Sequence, residues 1–367
     1  MLYLSNLTLS HFRSHKLARL SLDGRPVVFF GNNGSGKTNI LEAVSLFSPG
    51  RGMRRASAED MTRRPEAVGW KLRADASVRG AHHEIETFSE NGAARRVEID
   101  GKTATQARLG DLSRVIWLIP SMDRLWIEGA ENRRRFLDRM TLSLFPEHGE
   151  TSISYEKAMR ERNRLLKDQV RDAHWYKVLE MHMAETGHAI HIARSTALDR
   201  ILKAQKTAQT AFPTAELTLE HPDGIFPETV DDLKTALSEN RARDLAAGRT
   251  LIGPHRTDMI GVFQAKGIPA RDCSTGEQKA LLVSMILANA RALAQDLGSA
   301  PIILLDEVAA HLDAGRRHAL YDEICALGAQ AWMTGTEIDL FSDLGARAQY
   351  FKITEADSIS SVSAFGS

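Results

Sequence analysis

Apolar and polar residues nearly alternate at the start of the chain. Leu2, Leu4, Leu7 and Leu9 stand among polar neighbours, which predicts a half-buried strand. A second strand is predicted around Leu17 to Leu22. Val27 to Phe30 is fully apolar and stops at glycine, the pattern of a strand covered on both faces. The period then changes: Ile40, Leu41, Val44 and Phe47 fall on one face of a helix predicted over Thr38 to Phe47. Short alternating stretches from about 67 to 117, such as Val97 to Asp100 before Gly101, predict a β-meander. From Asn132 to about Lys206 the pattern is helical. Phe212 to about Phe226 reads as a loop or a strand, and Val230 to Arg243 as another helix. Strand character returns at Met259 to Phe263, and Pro301 to Leu305 is a second fully apolar strand, ending in acid. No internal repeat or low-complexity segment interrupts this order.

Composition narrows the class. The 367 residues are 43% hydrophobic and 26% charged, enough for one large domain or two smaller ones. The 47 basic and 47 acidic residues cancel, so any nucleic-acid binding must come from local patches. Two cysteines, Cys273 and Cys325, fit neither a zinc site nor a disulfide framework and suit a reducing compartment. The first residues lack the features of a signal peptide, and no apolar run approaches the roughly 18 residues of a membrane span. The expectation is a cytoplasmic protein without a membrane partner.

Gly31-Asn32-Asn33-Gly34-Ser35-Gly36-Lys37-Thr38 fits the phosphate-binding pattern G-x-x-x-x-G-K-[ST] between a buried strand and a helix. Glycines let backbone N–H groups face the phosphates, and the helix N-terminus adds positive potential. Lys37 is expected to reach the β- and γ-phosphates of ATP, with the Thr38 hydroxyl on Mg²⁺. Asp306, at the end of the second apolar strand, would serve the Mg²⁺ shell, and Glu307 would act as general base on the attacking water.

Cys273-Ser274-Thr275-Gly276-Glu277-Gln278 precedes a long apolar helix and resembles a degenerate ABC signature, L-S-G-G-Q. Alone, Ser followed by Glu reads equally as a helix cap; its place between the phosphate loop and the Asp306 strand favours the signature. In ABC ATPases this element meets the γ-phosphate held by a second subunit. His311-Leu312-Asp313 resembles the D-loop beside it, with Asp313 as its acid. Two family features are missing. Leu118 to Asp123 stands where a glutamine is expected, and Trp332-Met333-Thr334-Gly335-Thr336 where a switch histidine is expected. Thr334 or Thr336 would then contact the γ-phosphate, and slow ATP hydrolysis is expected. The fold expected is α/β: a discontinuous ABC-type head, a mixed sheet plus meander, at 1–131 and 250–367, with a mostly helical arm at 132–249.

Several stretches resemble the RecF family of bacterial recombination-mediator ATPases, relatives of the SMC and Rad50 heads. Leu7 to Arg13 is similar to L-x-L-x-N-F-R, with His11 for Asn, and Gly50 to Arg54 loosely to G-R-S-F-R. Arg133 to Asp138 resembles R-R-x-F-L-D, and Tyr155 to Lys167 resembles Y-x-x-x-L-x-x-R-N-x-L-L-K. Gly253 to Asp258 matches G-P-H-R-D-D except at Thr257. The resemblance implies an ATP-dependent homodimer that clamps DNA, single-stranded or at a single/double-strand junction, near gaps. It implies a part in recombinational repair and replication, help in recombinase loading, and RecO and RecR as partners.

Basic residues cluster at Arg51, Arg54 and Arg55, and at Arg160, Arg162, Arg164 and Lys167. These are candidate DNA contacts or, equally, solvated faces. Arg133 to Arg139 reads as structural, because Phe136 and Leu137 must pack nearby. His255 and Arg256 face the nucleotide interface or merely cap a strand. His82 and His83 lack partners for zinc. Two other functions share the phosphate motifs: the ATP-binding subunit of a membrane transporter, and a small-molecule kinase. The degenerate signature, the missing glutamine and the helical arm argue against the first. A kinase has no need of Ser274 to Gly276.

Overall fold

The computed structural model describes residues 1–64, 66–222 and 224–366. It divides into two units: 1–123, 204–214 and 274–367, and 124–203 with 215–273. The lines fall at 124 and 274, where the sequence pattern placed them at 132 and 250.

The first unit holds two sheets. One is antiparallel, in the order β2-β1-β4-β5-β6-β7: β1 Leu2–Phe12, β2 His15–Ser21, β4 Trp70–Val78, β5 Ala81–Ser89, β6 Arg96–Ile99 and β7 Lys102–Ala104. The near-alternation of β1 has a cause. Register slips between Leu4 and Asn6, so the buried phase runs Leu2, Leu4 and then Leu7, Leu9. The buried Gln330 amide bonds both the N–H and the C=O of Leu4 there, each at 2.9 Å.

The other sheet runs β15-β14-β3-β13-β12-β8. Its members are β3 Val27–Phe30, β8 Val115–Leu118, β12 Ile302–Leu305, β13 Ala331–Gly335, β14 Gln349–Ala356 and β15 Ile359–Phe365. All neighbours pair in parallel except β14 and β15. The fully apolar runs β3 and β12 are buried throughout, as their composition requires. Helix Lys37–Ser45 belongs to the core cluster that joins both sheets: Leu7, Leu72 and Ile85 from one, Phe29, Leu304 and Trp332 from the other, with Ile40, Leu41 and Val44 among them. Helix Thr275–Leu297 is long and apolar enough to cross a membrane, but 72% of its apolar window is buried inside the structure.

The second unit carries helices Ala130–Leu144, His148–Lys167, Val230–Glu239 and Arg241–Ala247, and most of Ala173–Lys206. The helix expected over 230–243 breaks at Asn240. The unit also contains a sheet, β11-β10-β9. Here β9 (Ala215–Glu220) pairs with β10 (Asp258–Phe263) from Asp258↔Glu220 to Phe263↔Ala215, and β11 is Ile268–Pro269. That pairing draws residues 250–273 into this unit. Arg133 is structural, bonding both Asp258 oxygens at 2.8 and 2.7 Å.

Candidate nucleotide site

Strand order explains the site. The phosphate loop leaves the C-terminal end of β3, Asp306 leaves that of β12, and β13 lies between them. Ligands of open α/β sheets gather at these strand ends. The loop turns into helix Lys37–Ser45 through Gly36, whose φ is 101°. A Cβ at Gly36 would lie 2.7 Å from Ser14 Oγ and 3.0 Å from His15 Nε2, so glycine is required twice over. His15, fully buried, bonds the Gly36 carbonyl through Nε2 at 3.1 Å; burial lowers its pKa, and the neutral ring donates that N–H. The sequence pattern did not single out His15, whose only signal is a histidine inside an otherwise ordinary strand.

Lys37 Nζ donates to the carbonyls of Gly31 at 2.7 Å and Asn32 at 2.8 Å. Burial lowers its pKa, and Glu307 and Asp306 pull the other way, so the ammonium sits within the field of both acids. Thr38 Oγ1 donates to Asp306 Oδ1 at 2.9 Å across 268 positions of sequence. Thr334 Oγ1 donates to the same oxygen at 2.8 Å and accepts the Glu307 N–H at 2.9 Å. The buried Thr334 hydroxyl is thus engaged with the acidic turn, and Thr336 is exposed.

The site fits a triphosphate with Mg²⁺. Ser35 Oγ is buried without a hydrogen-bond partner, 3.4 Å from where a Cβ on Gly31 would lie. No cluster of three metal-ligating side chains exists among the described residues. Mg²⁺ binds through one or two protein oxygens plus substrate phosphates. Thr38 and Asp306 supply such a pair.

Ser274 caps helix Thr275–Leu297: its Oγ meets the Glu277 carboxylate at 2.8 Å, and its N–H does so at 2.9 Å. Ser274, Thr275 and Gly276 are exposed at that N-terminus. The capping pattern is formed, and it leaves the expected signature residues accessible. Asp313 is exposed and caps helix Ala314–Leu327 by accepting the Arg316 N–H at 2.9 Å. Where a glutamine was expected, Asp123 instead bonds Lys279 of the signature helix at 2.7 Å.

The basic patches divide. Arg51 and Arg55 are exposed, and Arg54 is exposed beside Glu42 at 3.4 Å. Arg160, Arg164 and Lys167 are exposed on one face of helix His148–Lys167. Arg162 is not a surface contact: it is wholly buried, pairing with Asp244 at 2.7 Å and Glu180 at 3.1 Å. Two residues from Arg160 and two from Arg164, it points to the opposite side of a 3.6-residue helix. His255 is also internal: Nδ1 accepts from the Tyr155 hydroxyl at 2.7 Å and Nε2–H donates to the Thr250 carbonyl at 3.1 Å. His83 lies in β5 and bonds Asp100 at 2.8 Å.

A phosphate loop on a central parallel strand, an acidic pair on a second and a signature helix in the same unit define an ABC-type P-loop ATPase head. Comparison with known proteins agrees and goes further. Residues 6–172 match the AAA domain family. The chain is 47% identical over 96% of its length, and 97% of theirs, to DNA replication and repair protein RecF of Rhizobium etli and of Rhizobium johnstonii. It is 46% identical to that of Brucella suis over 95% of this chain and 94% of the relative. Among solved structures, "recombination mediator protein RecF-ATPrS in RecFOR pathway" has a TM-score of 0.84 at 22% identity, covering 100% of this chain and 98% of the other. A Pyrococcus furiosus Smc head domain reaches 0.57 at 17%, over 100% and 97%. The chain belongs to the RecF family of DNA replication and repair proteins. A transporter subunit is thereby set aside.

Proposed function

We propose that this chain binds ATP and Mg²⁺ at Gly31–Thr38 and Asp306, dimerises around the nucleotide, and clamps DNA near gaps in the cytoplasm with RecO and RecR as partners. The observation that carries this is the meeting of Thr38 and Asp306 at 2.9 Å, with Glu307 next in the chain. Lys37 exchanges two backbone carbonyls for phosphate oxygens, and the loop N–H groups close on the rest. Thr38 and Asp306 would hold Mg²⁺, which would neutralise charge on the bound phosphates. Glu307 accepts the proton of the water that attacks the γ-phosphorus, and the bond to the leaving ADP oxygen breaks. Exposed Ser274, Thr275 and Gly276, with half-buried Glu277 and exposed Asp313, offer a surface for a second copy's γ-phosphate. Turnover is slow, because no imidazolium shares the developing charge.

The test measures mass and DNA affinity with and without ATP for the wild type and for Glu307→Gln. ATP should convert monomer to dimer, the variant should hold the dimer, and DNA should bind more tightly to it. A variant that stays monomeric with saturating ATP and Mg²⁺ defeats the proposal.

A further inference from the structure

We propose that Thr334 is the positioning residue of the hydrolytic centre: its hydroxyl holds Glu307 in the strained backbone conformation that presents its carboxylate to the phosphate cradle. This rests on the reading of Glu307 as general base. Glu307 has φ 55°, in the left-handed region that a side chain with Cβ rarely enters. Such a conformation persists only where its surroundings hold it. β12 ends at Leu305, the Asp306 N–H still bonds the Leu118 carbonyl of β8 at 3.0 Å, and the chain bends at Asp306 and Glu307. The Glu307 N–H turns toward β13 and donates to Thr334 Oγ1 at 2.9 Å. Thr334 in turn spends its single proton on Asp306 Oδ1 at 2.8 Å, the oxygen that also receives the Thr38 hydroxyl at 2.9 Å.

One hydroxyl therefore ties together the two acids, and through Asp306 it is linked to the helix that follows the phosphate loop. Topology permits this because β13 is the strand between β3 and β12. Thr334 is 1% exposed, and β-branching restricts its χ1, so the oxygen has little freedom to leave. Its proton is already committed, so it acts through Glu307 rather than on substrate. Valine matches threonine in shape but lacks both bonds; serine keeps both.

The experiment compares wild type, Thr334→Val and Thr334→Ser as full chains. The first measurement, without nucleotide, is amide hydrogen exchange of Glu307 and its flanking residues. The second is equilibrium affinity for ATP, and the third is kcat and KM for ATP. Valine should raise exchange at Glu307 at least about tenfold while β3 stays protected. It should lower kcat at least about tenfold and leave ATP affinity and KM within roughly threefold, since a displaced base costs rate more than binding. Serine should match wild type in all three. The inference is overturned if valine leaves Glu307 as protected as in wild type, if kcat is unchanged, or if serine loses as much as valine. Should valine not fold, serine still decides: a serine chain with impaired kcat sinks the hydroxyl argument. A wild type that binds but never hydrolyses ATP would defeat the role of Glu307 itself; the exchange measurement would still show whether Thr334 holds its backbone.

Discussion

Replacing Arg162 by methionine removes a guanidinium whose side chain is 0% exposed, with Glu180 at 2% and Asp244 at 0% beside it. The group also bonds Thr250 Oγ1 at 2.9 Å and the Leu237 carbonyl at 3.0 Å. Methionine keeps most of the stem, so packing changes little. Glu180 retains Arg241 at 2.6 Å, and Asp244 retains Asn240 at 2.8 Å and the Leu251 N–H at 3.0 Å. Even so, two carboxylates stay buried with half their compensation gone. Removing one partner of a buried pair costs about 3–5 kcal/mol, against roughly 0–1 for an exposed pair. With a urea m-value of about 2 kcal/mol/M, the unfolding midpoint falls by roughly 2 M. The control is Arg164→Met, whose side chain is 85% exposed and whose Asp168 partner lies 3.9 Å away; it should move stability by less than about 0.5 kcal/mol. Urea unfolding followed by circular dichroism reads both variants, with amide exchange locating the loss in the second unit. DNA affinity per folded molecule should be unchanged for Arg162→Met. Wild-type stability combined with weakened, less salt-dependent DNA binding would refute the structural assignment.

Other outcomes follow from the same geometry. Lys37→Ala should weaken ATP binding roughly 10- to 150-fold, the value of a charge-assisted hydrogen bond, and an unchanged Kd would remove Lys37 from the site. Replacing Arg160, Arg164 and Lys167 together by Ala should flatten the plot of log affinity for DNA against log salt by as much as about 2.7, at 0.9 per phosphate contact. An unaltered slope takes that helix face away from DNA. Burial lowers the pKa of His255 to about 4, so its neutral form stabilises the fold fully above the unfolded value of 6.5. That contribution, on the order of 3 kcal/mol, is lost as pH falls through about 4. Asp138 is half-buried, and desolvation alone would raise its pKa, yet His148 and Arg194 hold it at about 2; its contribution disappears only below about 3.8. Urea midpoints of wild type between pH 7 and 4 should therefore fall faster than those of His255→Asn, and parallel curves would refute the assignment.

The phosphate loop and the Asp306–Glu307 turn were readable because each motif is contiguous and flanked by a fully apolar strand. Their meeting was inferable from motif order alone. The role of Thr334 was not, because β13 enters between β3 and β12 only through a pairing order that no local pattern encodes. The sequence suggested a phosphate contact; the hydroxyl instead bonds the acids. Arg162 was misread for a different reason. A run of charges shows composition but not which side of the helix packs, and here alternate arginines face opposite ways. The boundary near 250 was misplaced because β10 finds its partner in β9, some 40 positions earlier, rather than in the head. β14 and β15 escaped notice because few of their residues are buried, which leaves a faint alternation.

The order of strands in the parallel sheet has a consequence for synthesis. β3 is flanked by β14 and β13, and β8 pairs with β12, so neither early strand meets a parallel partner until the last third of the chain has been made. At about 5–20 residues per second, Val27–Phe30 and Val115–Leu118 wait on the order of 10–60 s at the ribosome as bare apolar segments. A message truncated before residue 300 yields no ATPase of reduced quality, only a polypeptide with unpaired sheet edges for chaperones and proteases to clear.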